Sequence, residues 1–291
     1  MFISFAVKVP MPPFHTWLPD AHVQAPTAGS VMLAGILLKL GGYAFLRISL
    51  PMLPAASAAF SEYVLWISSF AVVYASLVAY VQTDMKKMIA YSSVAHMGYV
   101  TGGIFSFTEK GINGAIFQMI SHGLISAALF LAVGILYDRH HTKEISKYGG
   151  VAASMPILAT LFMIAMLGSV GLPGLSGFVG EFLLMFSFLF VSKVAFIFAS
   201  LGFLISITYS FWLYNRISFL LPFHIFVFSD LSKREFFVTI PFIVMIFFFG
   251  LYPSCILNIL EPISLFILNF NPFLFFSSLN SPEVLKKRSM I

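Results

Sequence analysis

The sequence predicts an all-α, polytopic membrane protein with about eight transmembrane helices, one of them broken. Three observations predict it. Of the 291 residues, 59% are hydrophobic and 9% are charged, and mean hydropathy is +0.96. A soluble domain carries about 25% charge. One core cannot hide this much apolar surface from water, whereas lipid solvates it. Apolar stretches also recur at about 20 residues, the length of helix that crosses ~30 Å of hydrocarbon. Basic residues, finally, collect in alternate loops. The same arithmetic excludes disorder, nucleic-acid modules and disulfide scaffolds. The net charge of +5 is scattered over the ends of spans instead of forming a stripe. The single cysteine, Cys255, cannot form an intrachain bridge and reads as packing near a helix end. Phenylalanine is frequent, 35 residues, which we read as the bias of an AT-rich organelle genome.

The first element is short. Met1 to Val9 is apolar, but Pro10, Pro12 and Pro13 stop a helix there. At 1.5 Å per residue such a helix covers only about 13 Å, half a crossing. No small-residue cleavage site marks it as a signal peptide. It is expected to rest on a partner, or to be a helix cut within the gene. Full spans are expected from about Thr27 to Leu50, Phe60 to Val81, Met85 to Phe107 and Ile112 to Tyr137. The stretch from Pro156 to Val191 is interrupted by Gly168, Gly171, Pro173, Gly174 and Gly177, which predicts the broken helix. Lys193 to Leu220 and Phe236 to Ile256 complete the set. After Pro262 the chain is apolar to Phe276 and then polar, as an interfacial helix would be.

Loop charges give an orientation. One side carries Lys86, Lys87, Arg139, Lys143, Lys147, Arg216, Lys233 and Arg234; the other carries Arg47, Lys110 and Lys193, with Lys286, Lys287 and Arg288 in the tail. Leaving out the tail, eight against three puts the richer side in the cytoplasm or matrix.

Subtracting these leaves Lys8, Lys39 and Glu181 inside apolar sequence. A charge at the bilayer centre costs at least ~2.5–3.5 kcal/mol, so an ion pathway is the default reading. The plainer alternative is a buried pair or a side chain that snorkels to the interface. Lys39 is too central to snorkel, being twelve residues from Thr27 and eleven from Leu50. Lys8, near the chain end, is open to both readings. His96 and His122 lie mid-span. Gln118, His122 and Ser126 share a helix face, and Ser92 and Ser93 precede His96 by a turn. A lone membrane histidine is often only an interhelical hydrogen bonder. Two with polar neighbours suit a hydrated proton relay, because imidazole passes protons both ways near neutral pH. Glycines beside Lys39 and Glu181 allow close helix packing. A broken helix next to a buried carboxylate is a candidate ion site.

Other polar residues carry weaker signals. Asp84 reads as the cap of the helix that starts at Met85. His140 and His141 read as solvated, and Asp20, His15 and His22 as turn or contact residues of a Pro-rich loop. Phosphate-loop, dinucleotide, zinc-protease and cysteine-ligand signatures are all missing from the sequence. Haem ligation by His96 and His122 on adjacent helices is a minor alternative. The chain reads as an ion conduit driven by another subunit.

Val7-Lys8-Val9-Pro10, His15-Thr16-Trp17-Leu18-Pro19-Asp20-Ala21-His22 and Leu37-Leu38-Lys39-Leu40-Gly41-Gly42-Tyr43 resemble segments of the antiporter-like subunits of respiratory complex I. Asp84-Met85-Lys86-Lys87, Ala90 to Met97, Ser121-His122-Gly123 and Gly177 to Phe182 extend the likeness. Order and spacing are most similar to the subunit 4 family of NADH:ubiquinone oxidoreductase, from about Phe5 to Pro253. The resemblance implies two inverted five-helix repeats, each with a broken helix. This chain then holds the end of the first repeat (1–50), the second repeat (51–220), and a final helix with its tail (221–291). It implies that Lys8, Lys39, His96, His122 and Glu181 form a proton relay, the same five positions that burial singled out. No cofactor is implied on this chain; NADH, FMN, iron–sulfur clusters and ubiquinone are implied in other subunits. A complete family member has about six helices ahead of the Lys8 helix, including a glutamate that pairs with that lysine. We therefore expect a separate chain carrying the missing N-terminal half. Further expected partners are neighbouring antiporter-like subunits and membrane lipids such as cardiolipin, in the mitochondrial inner membrane. Two rival functions stay open: a subunit of a multi-subunit cation/proton antiporter, and an architectural subunit with a non-conducting channel.

Overall fold

The computed structural model describes residues 1–220 and 229–269. The expected tail beyond these, with Lys286, Lys287 and Arg288, lies outside the described residues. Eleven main helices carry the architecture. α1 (Phe2–Lys8) and α2 (Trp17–Gln24) are short and separated by the Pro-rich segment. α3 (Thr27–Met52) is a continuous span containing two π-helical turns, Leu33–Leu37 and Phe45–Ser49. α4 (Ser61–Tyr80), α5 (Met85–Phe105) and α6 (Glu109–His140) follow. α7 (Pro156–Val170) and α8 (Ser176–Val191) are the halves of the broken span. α9 (Lys193–Ser218), α10 (Lys233–Leu251) and α11 (Ser254–Asn269) complete the described residues. No strand forms among the described residues; Asp84 and Glu144 make only an isolated bridge.

The ends of these helices follow local chemistry. Asp84 caps α5 as expected, its Oδ1 accepting from the backbone N–H of Lys86 at 2.8 Å and of Lys87 at 3.3 Å. Thr108 accepts from Gly111 N at the start of α6. Ser232 and Glu235 form a reciprocal capping box on α10. That helix stops at Leu251, short of the expected Ile256, because Tyr252 precedes Pro253 and leaves the helical region at φ −122° and ψ 62°. Cys255 follows the stop and is exposed instead of packed, which corrects its reading as packing.

α6 is the axis of the bundle. α5, α8, α10 and α7 all pack along it, while α4 lies between α5 and α9. Its 32 residues make about 48 Å of helix, longer than the ~30 Å hydrocarbon layer. Its C-terminal end carries Arg139 and His140 at the charge-rich end. There Met85 N donates to Lys143 O at 3.0 Å, and Ile145 N donates to Thr83 O at 2.9 Å, joining two loops. At the same end Arg139 donates to both carboxylate oxygens of Glu235, at 3.1 and 2.8 Å, and to the Ser229 and Asp230 carbonyls. The Asp230 carboxylate accepts from Ile157 N and Leu158 N at the start of α7. One arginine thus ties α6, α7 and α10 together.

The core is divided. One apolar cluster, around Phe130, Phe162 and Tyr148, fills the charge-rich half. A second, around Phe45, Phe105 and Phe188, fills the other half. On α5 the boundary falls between Ile89 and Met97, on α6 between Ile125 and Met119, and at α8 between its N-cap Leu175 and Leu184. His96, His122 and Glu181 lie between those pairs. These three ionisable residues therefore occupy a polar layer between the two larger apolar clusters.

Candidate functional site

The break between α7 and α8 is made by Gly171 at φ +76° and Gly174 at φ +94°. Glycine occupies this left-handed region at no steric cost, so the chain turns without strain. A Cβ at Gly171 would also stand 3.0 Å from Glu181 Oε2. A second close approach sets the depth of the carboxylate. At Gly180 a Cβ would lie 2.9 Å from Gln118 Cα, so α8 is pressed against α6. Gln118 Nε2 then donates to Glu181 Oε1 at 3.2 Å.

His96 of α5 completes the group. Its Nδ1 lies 2.7 Å from Glu181 Oε1, and both side chains are buried, 6% and 4% exposed. The oxygen is off the N–H direction of the ring, so the contact has the distance of an ion pair without an aligned hydrogen bond. The His96 and His122 rings are neighbours, with centroids 5.3 Å apart. Lys39 Nζ is 2.7 Å from His122 Nδ1 and also donates to the Ala34 carbonyl. Lysine has only donors, so in this contact Nδ1 is the acceptor. Lys39, His122, His96 and Glu181 thus stand in one series across α3, α6, α5 and α8. Beside them is a cavity of about 10 Å³ with Ser92, Ser93, Ser126 and Ser169 in its walls. That is room for about one water molecule among several polar partners.

Lys39 enters the series from the side. Its helix contains the two π turns, one on each side of it, and such turns inside α-helices are frequent at functional sites. Its side chain is half-buried along a groove between α3 and α6, whose walls are mostly apolar and include Met32, Ile36, Tyr43 and Ile120. Gly35 and Gly123 form the floor, where the two backbones nearly touch.

Lys8 is not part of this arrangement. It is exposed on α1 and makes no ion pair among the described residues. Four of the five expected positions are brought together and the fifth is left apart.

The sequence reading missed Lys86 and undervalued His22. Lys86 was counted as a loop charge, yet it is 2% exposed and its Nζ donates to the Ala25 carbonyl at 3.0 Å. Lys143 reaches the Val23 carbonyl beside it, so two cations meet the C-terminal end of α2, where the helix dipole is negative. Lys87 points outward and pairs with Asp20 at 3.4 Å. The signal was available, because Lys86 shares a helix face with Ala90 and Ser93. His22 is fully buried, stacked on Phe130 at 4.4 Å and 11°, with neither ring nitrogen hydrogen-bonded. His15 is buried too, edge-on to Tyr74.

Comparison with known proteins places the chain in a family. The chain is 61% identical over 261 residues to NADH-quinone oxidoreductase subunit M of Rickettsia bellii, covering 89% of this chain and 53% of that protein. It is 51% identical over 259 residues to NADH-ubiquinone oxidoreductase chain 4 of Chondrus crispus, covering 88% and 53%. The chain spans about half the length of the curated relatives it matches. Among solved structures, a chain of respiratory complex I from Thermus thermophilus with bound NADH superposes with a TM-score of 0.88 at 30% identity, over 93% of this chain and 57% of that one. A chain of the Mrp complex from Dietzia sp. shares the fold, with a TM-score of 0.83 at 19% identity, over 96% and 60%. The family model described as NADH:quinone oxidoreductase/Mrp antiporter, TM, matches residues 1–208. The chain, an all-α membrane bundle with an ionisable series across its middle, belongs to the NADH:quinone oxidoreductase/Mrp antiporter transmembrane family.

Proposed function

We propose that this chain is the proton-conducting part of a membrane-arm subunit of NADH:quinone oxidoreductase. The contact series Lys39–His122–His96–Glu181 carries the reading. The Lys39 ammonium donates its proton to His122 Nδ1, and the imidazole releases one from its other nitrogen toward His96. The small polar cavity has room for the water that bridges the rings. His96 then delivers the proton to the Glu181 carboxylate, held in place by Gln118. Moving one charge against 100 mV takes ~2.3 kcal/mol, so the steps must be biased from outside the chain. In this reading quinone reduction in other subunits supplies the bias, and NADH, FMN, the iron–sulfur clusters and ubiquinone reside there.

The same reading assigns residues 1–50 to the end of one antiporter-like repeat, 51–220 to a second, and 221–291 to a final helix and tail. Lys8, exposed on α1, pairs with a carboxylate outside the described residues. Neighbouring antiporter-like subunits and membrane lipids cover the remaining apolar faces. The membrane is the mitochondrial inner membrane, supported by the phenylalanine bias and the likeness to chain 4 proteins. Substituting Lys39→Ala tests the relay. Protons pumped per electron should fall while the complex still assembles and oxidises NADH; an unchanged ratio overturns it. Co-purification with flavin and iron–sulfur subunits separates this reading from a stand-alone cation/proton antiporter.

A further inference from the structure

One face of α8 carries Phe178, Phe182, Phe186 and Phe190 at four-residue spacing. Their rings form a continuous ladder, with centroid separations of 5.2, 4.8 and 6.4 Å. The ladder is about 18 Å long at 1.5 Å per residue. It faces outward, Phe182 being 47% and Phe190 68% exposed. Aromatic rings usually hide in a core, and none of these belongs to an apolar cluster of the described residues.

At its outer end the ladder meets a cation. Lys110, in the first turn of α6, holds its ammonium 5.7 Å from the Phe186 ring centre and 5.5 Å from that of Phe190. The aromatic faces fix the head of a long side chain that would otherwise wander. Lys110 makes no ion pair and donates no side-chain hydrogen bond among the described residues, although Glu109 precedes it in the chain. Lys193 is exposed three residues after Phe190, where α8 ends and α9 begins. Both lysines therefore lie at the bundle end opposite the charge-rich loops, with no ion pair or side-chain hydrogen bond among the described residues.

We propose that this corner is a binding site for an anionic phospholipid. The phosphodiester lies between Lys110 and Lys193, and one acyl chain runs along Phe190, Phe186 and Phe182. The charge and the apolar ladder match the two ends of such a molecule, and a neutral or purely apolar occupant would leave both ammonium groups unanswered. Near a membrane surface each lysine contributes about 1 kcal/mol toward an anionic lipid, so two give roughly thirtyfold selectivity over a zwitterionic one.

The complex containing this chain tests the site directly. It is reconstituted into phosphatidylcholine vesicles carrying spin-labelled phosphatidylglycerol or spin-labelled phosphatidylcholine. The wild-type complex should immobilise an extra portion of the phosphatidylglycerol, and Lys110→Gln with Lys193→Gln should lower that affinity about thirtyfold. Lys110→Arg should retain it. Equal immobilisation of the two lipids by wild type overturns the proposal without any variant. So does unchanged phosphatidylglycerol affinity in the double variant. A photo-crosslinker at Phe190 should capture lipid; capture of a neighbouring subunit instead also overturns it.

Discussion

The chain contains two interrupted helices that differ in how they are enclosed. At the α7–α8 break, α5 and α6 supply His96 and Gln118 to a carboxylate that is almost wholly buried. At the α1–α2 break, Lys8 stands on an exposed face with no charge opposite it among the described residues. Both breaks use glycine- or proline-rich sequence and both carry an ionisable group. A helix break therefore marks where an ion site can be built, and the surrounding helices decide whether one is. The α7–α8 break sits within its own bundle, and the α1–α2 break has a side left open.

The largest expected effect separates the two breaks. Glu181→Gln keeps the shape of the group and removes the proton acceptor, so transfer through the series should slow on the order of a hundredfold. Lys8→Gln in the same complex should act only through whatever chain covers α1. Measuring protons pumped per electron in both variants checks the contrast, and equal losses would erase it. Next is Gly171→Ala. It forces an L side chain into the left-handed region, about 1–2 kcal/mol, and pushes a methyl toward Glu181. A lower unfolding temperature with impaired pumping is expected, whereas Gly174→Ala, which has open space around it, should show the backbone penalty alone. Arg139→Ala leaves Glu235 without its bidentate partner and loosens α10 from α6, costing about 1–3 kcal/mol by thermal unfolding. The smallest effect is Ser232→Ala. It removes half of the α10 capping box, about 1 kcal/mol, and should not alter pumping.

Much of the fold was legible because lipid imposes a simple length rule, and α3 to α10 fall close to the apolar stretches. Glu181, Lys39, His96 and His122 were legible for the same reason: polar groups are rare in such sequence and each stands out. Lys86 was not, because adjacent lysines look alike until the helix is built and one of them turns inward. The Arg139 clasp was hidden by distance, its partner lying ninety-six residues along the chain. Lys8 is a different case: burial cost argues that a charge in apolar sequence needs a partner, and it does not say where that partner lies.

The two π turns in α3 carry a consequence for anyone mapping that helix. Each takes up one residue more than an α turn would. One extra residue displaces everything after it by about 100° around the axis. A helical wheel drawn from Thr27 in regular α geometry therefore turns Lys39 away from His122, and repeats the mistake after Phe45. Cysteine-accessibility or labelling profiles along this span should lose phase twice, near Leu33 and near Phe45, and the stretch between the slips is the one that presents its lysine to α6.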